Sequence, residues 1–140
     1  MSQREIKGAL AKLLATENLT VEHTKCETAS FDVKNRVLSL PLWIASESVY
    51  DMLVGHEVGH ALYTPAEEWT DMLNVPQSYV NILEDVRIEK AMKEKFPGLR
   101  KDFFQGYKEL NEKDFFGIEI LDLEKLKLID RINLHYKVGI

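Results

Sequence analysis

Cysteine occurs once, at Cys26, so the chain closes no internal disulfide and builds no cysteine-rich zinc cluster. A reducing compartment is the simpler expectation. Long apolar runs are missing too. No stretch approaches the roughly 18 uncharged residues of a membrane span, and the opening "MSQREIKGAL" carries charges where a signal peptide has an apolar core. The expectation is a cytoplasmic protein with no membrane partner. Positive charge is in short supply: 18 Lys and Arg against 23 Asp and Glu leave a formal charge of -5. That removes any general attraction to nucleic acid, and none is expected as a partner. There is no repeat, low-complexity tract or linker. What is present is a chain of 140 residues, 45% hydrophobic, enough for one domain with a sizeable core.

Ser2 and Glu5 form a capping box, and Ile6, Ala9, Leu10, Leu13 and Leu14 recur at helical spacing, which predicts a helix over about residues 3–16, lying against a sheet. "LTVEHT" and "ASFDVKNRVLSLP" read as strands. Their β-branched and aromatic residues favour extended backbone, "VKN" can turn a hairpin, and Pro41 ends the pairing because it has no N–H. The sheet is expected to be small and mostly antiparallel. From Ser46 the period becomes helical and runs through "HEVGH" to Tyr63. Thr64, Pro65 and Glu67 supply the cap, first-turn proline and third-position glutamate of a new short helix. "QSYVNILEDVRIEKAMKEKF" predicts a long acid-bearing helix stopped at Pro97-Gly98, and "LRKDFFQGYKELNEK" and "DLEKLKLIDRINLHYKV" predict two more. The fold class is therefore α+β. The last pattern is still apolar at "NLHYKVGI", which reads as the N-terminal part of a longer protein.

"HEVGH" carries the chemistry. A helix turns about 100° per residue, so His56 and His60 share one face a turn apart and can hold one tetrahedral ion together. Glu57 points to the neighbouring flank, where it can reach a water on that ion as a general base without being a ligand. Chance would produce this pattern on the order of once per hundred or more chains of this size. Apolar Val54, Val58, Ala61 and Leu62 imply a buried helix, in which two histidines need partners. Gly55 and Gly59 each cost about 1 kcal/mol relative to alanine, and a close strand or substrate backbone would account for them.

Zinc, the expected cofactor, usually takes three protein ligands and a water. The candidates for the third are Glu84 and Asp85 of "NILEDVRIE", on a separate helix that can cross the first. Reach favours Glu84 as ligand, with Asp85 and Asn81 as second-layer support for the site. The competing reading of this run is an exposed, charge-paired face using Arg87 and Glu89. A donor for a developing oxyanion could come from Tyr107, His135 or Tyr136. Trp43 and Trp69 read as packing residues, Trp69 at the cleft rim, and His23 as a strand residue without a role.

The order helix, hairpin ending "RVLSLP", "HEVGH", then "NILEDVRIE" resembles the zincin fold of metallopeptidases, in its glutamate-liganded branch. More closely, "FDVKNRVLSLPLW", "HEVGHALYTP" and "NILEDVRIEK" resemble the zincin-like domain of phage-encoded peptidase-like proteins. They also resemble cobalt-chelatase-associated proteins that carry a von Willebrand factor A domain farther along. The resemblance spans about residues 5–137 and implies that His56 and His60 bind zinc, that Glu57 is the base and that the 84–85 pair supplies the third ligand. It also implies a peptide or protein substrate, a downstream von Willebrand factor A-like region or assembly partner, and a host-cytoplasmic site for a phage-encoded chain. The first expectation for function is a zinc-dependent peptidase. The alternative is a non-catalytic interaction module of a larger assembly, which would have no use for a base beside its ligands.

Overall fold

The computed structural model describes residues 3–42, 46–65, 75–113 and 126–139, with side chains from residue 5 onward. Trp43, Trp69 and the short helix expected beyond Pro65 lie outside them. Helix α1 spans Gln3–Ala15; strands β1, β2 and β3 span Thr20–Thr24, Ser30–Asp32 and Val37–Pro41. Helices α2, α3, α4 and α5 follow at Glu47–Tyr63, Gln77–Lys95, Leu99–Glu112 and Leu128–Val138. The architecture is α+β, five helices and one three-stranded sheet among the described residues.

The sheet corrects the expected pairing. Its order is β1-β3-β2, and its longer ladder, Thr20↔Val37 through Thr24↔Pro41, is parallel; β2 and β3 pair antiparallel from Ser30↔Ser39 to Asp32↔Val37. The hairpin signal was local and correct, but β1 joins β3 rather than its sequence neighbour, because the intervening residues carry the return strand β2 and so span a parallel crossover. The Asp32 carboxylate fixes the hairpin by accepting from the Lys34 and Asn35 N–H groups, both at 3.0 Å. Arg36 closes it in the left-handed region at φ 58°, its guanidinium carbon 5.0 Å from the centroid of the Phe31 ring of β2. Its guanidinium donates to the Ala61 carbonyl at 2.7 Å and to the Glu17 carboxylate, clamping the hairpin to the last turn of α2.

Helix α2 is the central element. Ser46 caps it, accepting from the Val49 N–H at 3.2 Å, and Val49, Met52, Val54 and Val58 are wholly buried. A helix apolar on most of its circumference has to be covered on all sides: α1, α3, α4 and the sheet pack around it. Helix α1, expected against the sheet, reaches it through Gly8 and Val21, packs on α2, and its buried Lys7 pairs with Asp51 of α2. The two α2 glycines answer to helices rather than to a strand or substrate. A Cβ on Gly59 would stand 2.8 Å from Ile88 Cδ1 and 3.0 Å from Met92 Cγ of α3, and one on Gly55 would stand 3.3 Å from Leu99 Cδ1 of α4. Gly59 therefore lets α3 approach α2 closely one residue from His60. No helix among the described residues is long and apolar enough to cross a membrane.

Candidate metal centre

His56 and His60 lie a turn apart on α2, their ring centroids 5.0 Å apart and their planes at 75°. Both turn Nε2 toward one atom of α3: His56 Nε2 is 3.3 Å and His60 Nε2 3.2 Å from Asp85 Oδ1. The three ligand atoms all lie within 4.8 Å of one another. Each ring is held from behind. His56 Nδ1 donates to Glu89 Oε1 at 2.8 Å, and His60 Nδ1 shares a hydrogen with Thr64 Oγ1 at 2.8 Å. Such contacts fix ring orientation and leave each Nε2 facing Asp85.

This arrangement calls for a positive charge at its centre. His56 has a carboxylate at each ring nitrogen, so a neutral ring would leave a lone pair facing an anion. Burial works against its charged form, but the bonds to Asp85 and Glu89 and the charge of Glu57 outweigh burial and hold its pKa at about 10. Asp85, although desolvated, is held well below the usual carboxylate range by the two imidazoles and Lys137, whose Nζ is 3.6 Å from Asp85 Oδ2. A proton or a metal ion satisfies the same geometry. The His56-His60-Asp85 group is thus able to bind a metal ion, and its two nitrogens and one oxygen do not select a particular one.

Glu57 is buried, with Oε1 3.9 Å from His56 Nε2, and stands outside the three-atom group. Burial raises its pKa, against the pull of His56 and His60. It lines a cleft of about 550 Å³ together with both histidines, Asp85 and edge strand β2, a volume suited to a ligand site.

The structure reverses the ranking of the two acids. Asp85, the shorter side chain, meets the histidines, while Glu84 is turned along α3, where Oε1 accepts from Arg87 Nε at 2.6 Å. The reason is angular: a helix face recurs every three or four residues, and the face against His56 and His60 carries Asp85, Ile88, Glu89 and Met92. Glu84 sits about 100° away, buried in the cleft wall. Asn81 does not support a ligand; it is exposed at the cleft and accepts from Gln77 Nε2 at 2.8 Å. Arg87 is on the surface as the charge-paired reading required, but Glu89, its expected companion there, is wholly buried.

Of the three oxyanion donors expected, Tyr107 reaches the cleft, yet its hydroxyl is given to Glu89 Oε1, and burial and that carboxylate push its pKa well up. Tyr136 directs its hydroxyl to the Val86 carbonyl at 3.5 Å, its pKa pushed up to about 12 by burial, and His135 is exposed outside the cleft lining. Three residues to which the sequence assigned no place in the site complete it: Glu89, Thr64 and Lys137. Glu89 follows Asp85, and Thr64 follows His60, by one helical turn, a spacing that would have found both; nothing local marks Lys137 among 18 basic residues. No family model, curated protein or solved structure matches the chain.

Proposed function

We propose that the chain is a zinc-dependent peptidase domain of zincin-like design, with His56, His60 and Asp85 as the metal's protein ligands and Glu57 as general base. The observation that carries this reading is the position of Glu57: a buried carboxyl beside the three ligand atoms, outside them, at an open cleft. A closed structural site has no use for such a group. The donor set fits a divalent ion in charge as well. Glu57, Asp85 and Glu89 against Lys137 leave two formal negative charges when both imidazoles are neutral. Two imidazoles and a carboxylate with an open position are the ligand type of catalytic zinc, which when bound lowers the pKa of water to about 7 and polarises a carbonyl.

The chain's own residues supply the rest. Glu57 accepts a proton from the attacking water and returns it to the leaving amine; burial, by raising its pKa, moves it toward the range in which both transfers are efficient. Glu89 and Thr64 hold the imidazoles in register. Among the described residues β2 pairs with β3 alone, and its Ser30 and Phe31 line the cleft, so an extended peptide can lie along its other edge as an added strand. A peptide or protein substrate fits that edge, and a downstream von Willebrand factor A-like region or assembly partner remains part of the proposal through resemblance.

The test is Glu57→Gln. The variant should keep the fold and the metal, and cleavage of a broad peptide library should fall about 10²- to 10⁴-fold in kcat, the usual loss with a general base, at unchanged KM. A zinc-loaded wild-type protein that cleaves nothing across the library would favour the non-catalytic interaction module instead.

A further inference from the structure

The three aromatic residues expected to meet an oxyanion are committed elsewhere or lie outside the cleft, but α5 brings another group to the site. Lys137, in the last turn of α5, lines the same cleft as His56, Glu57 and Asp85. Its side chain is 14% exposed, with Nζ 3.6 Å from Asp85 Oδ2 and 5.7 Å from the centroid of the Tyr107 ring. Among the described residues that ammonium makes an ion pair and a cation–π contact but no hydrogen bond, so its three N–H donors stay available at the cleft. No other Lys or Arg lines the cleft among the described residues. Asp85 divides its oxygens between the two sides of the site: Oδ1 faces both imidazoles and Oδ2 faces the ammonium. A ligand atom bound in front of the histidines is therefore met by Lys137 across the width of one carboxylate.

We propose that Lys137 is the anion-holding residue of the cleft, donating to the negative oxygen that develops from the scissile carbonyl. The inference rests on the peptidase reading for its reaction and on the Asp85–Lys137 geometry for its site. In the reaction, water oxygen forms a bond to the carbonyl carbon, its proton passes to Glu57, and the carbonyl π pair moves onto oxygen. Collapse returns that pair, the C–N bond breaks with its electrons on nitrogen, and nitrogen takes the proton from Glu57. Lys137 contributes a fixed charge, on a partly buried side chain, where charge develops.

The test pairs a binding measurement with a kinetic one on the zinc-loaded full chain, using Lys137→Met, close in length and apolar, and Lys137→Arg, which restores charge. Phenylphosphonate, a small tetrahedral oxyanion, is titrated calorimetrically, and zinc content is measured in parallel. The expected result is phosphonate affinity reduced at least about tenfold in Lys137→Met at unchanged zinc content and largely restored in Lys137→Arg. On a cleaved peptide, kcat should fall about 10²- to 10³-fold in Lys137→Met with KM unmoved, the loss usual for one oxyanion donor. Wild type that does not bind the phosphonate, Lys137→Met that binds it as wild type does, or an unchanged kcat would overturn the proposal. So would zinc lost in step with the phosphonate, which would leave Lys137 merely holding Asp85. A wild-type protein that binds the phosphonate yet cleaves no peptide removes the peptidase reading and leaves the anion site standing.

Discussion

His56 has a carboxylate within reach of each ring nitrogen, Asp85 at 3.3 Å and Glu89 at 2.8 Å, and this makes the site a competition between a proton and a metal ion. With its pKa raised from the ordinary 6.5 to about 10, the metal-free ring is charged at neutral pH. A histidine whose folded pKa lies above its unfolded value contributes stability that is fully present below about pH 6.5 and is lost as pH rises through about 10. Metal-free protein should therefore melt at progressively lower temperature from pH 7 to pH 10. Metal affinity should rise over the same window, because the ion no longer displaces a proton. Thermal melts of chelator-treated protein, with and without zinc, check both signs; a metal-free melting temperature flat or rising across that window would show that the pair does not hold the proton. The wholly buried Glu89 belongs to the same balance, since its Oε2 has no hydrogen-bond partner while Oε1 serves both His56 and Tyr107.

Two helices meet at this point, and how closely they do so is set by a missing side chain. α3 packs Ile88 and Met92 into the space over Gly59, which brings Asp85, one turn before Glu89, to the histidines. Gly59→Ala gains about 1 kcal/mol of helix propensity, but its Cβ would stand 2.8 Å from Ile88 Cδ1 and 3.0 Å from Met92 Cγ. Overpacking of that kind costs about 1–3 kcal/mol. The expected outcome is a net loss of stability of up to about 2 kcal/mol, together with weaker zinc binding, as α3 moves away and Asp85 with it. Urea denaturation and competition with a chelator of known affinity measure the two; a variant more stable than wild type with unchanged zinc affinity would mean that the helices are not held apart by this contact. The elements themselves were legible. Ser46 marks the start of α2 and Pro97-Gly98 the end of α3, because caps and breakers act within a few residues. The partner of β1 was not, because the parallel ladder to β3 joins residues 17 apart, as in Thr20↔Val37, and no short-range pattern encodes that choice.

Across the whole molecule the centre draws on four helices that the apolar core already packs together. α2 carries His56, His60 and Glu57, α3 Asp85 and Glu89, α4 the tyrosine that shares Glu89, and α5 the lysine beside Asp85. The histidines and Glu57 could be read from the sequence because the three lie on one helix, where spacing alone fixes their relative direction. Asp85 against Glu84 could not be decided by reach, since the rotation of α3 about its axis is set by Ile88 and Met92 packing on Gly59. Lys137 was illegible for the same reason on a larger scale: α5 follows α3 by more than thirty residues, and only the folded chain brings Lys137 to Asp85. A site assembled in this way is measured most directly by its metal content. Elemental analysis of zinc-incubated, desalted protein should give one zinc per chain for wild type and for Glu84→Ala, and close to none for Asp85→Ala and for the His56→Ala, His60→Ala double variant. Equal zinc in all four, or loss with Glu84→Ala and retention with Asp85→Ala, would contradict the centre described here.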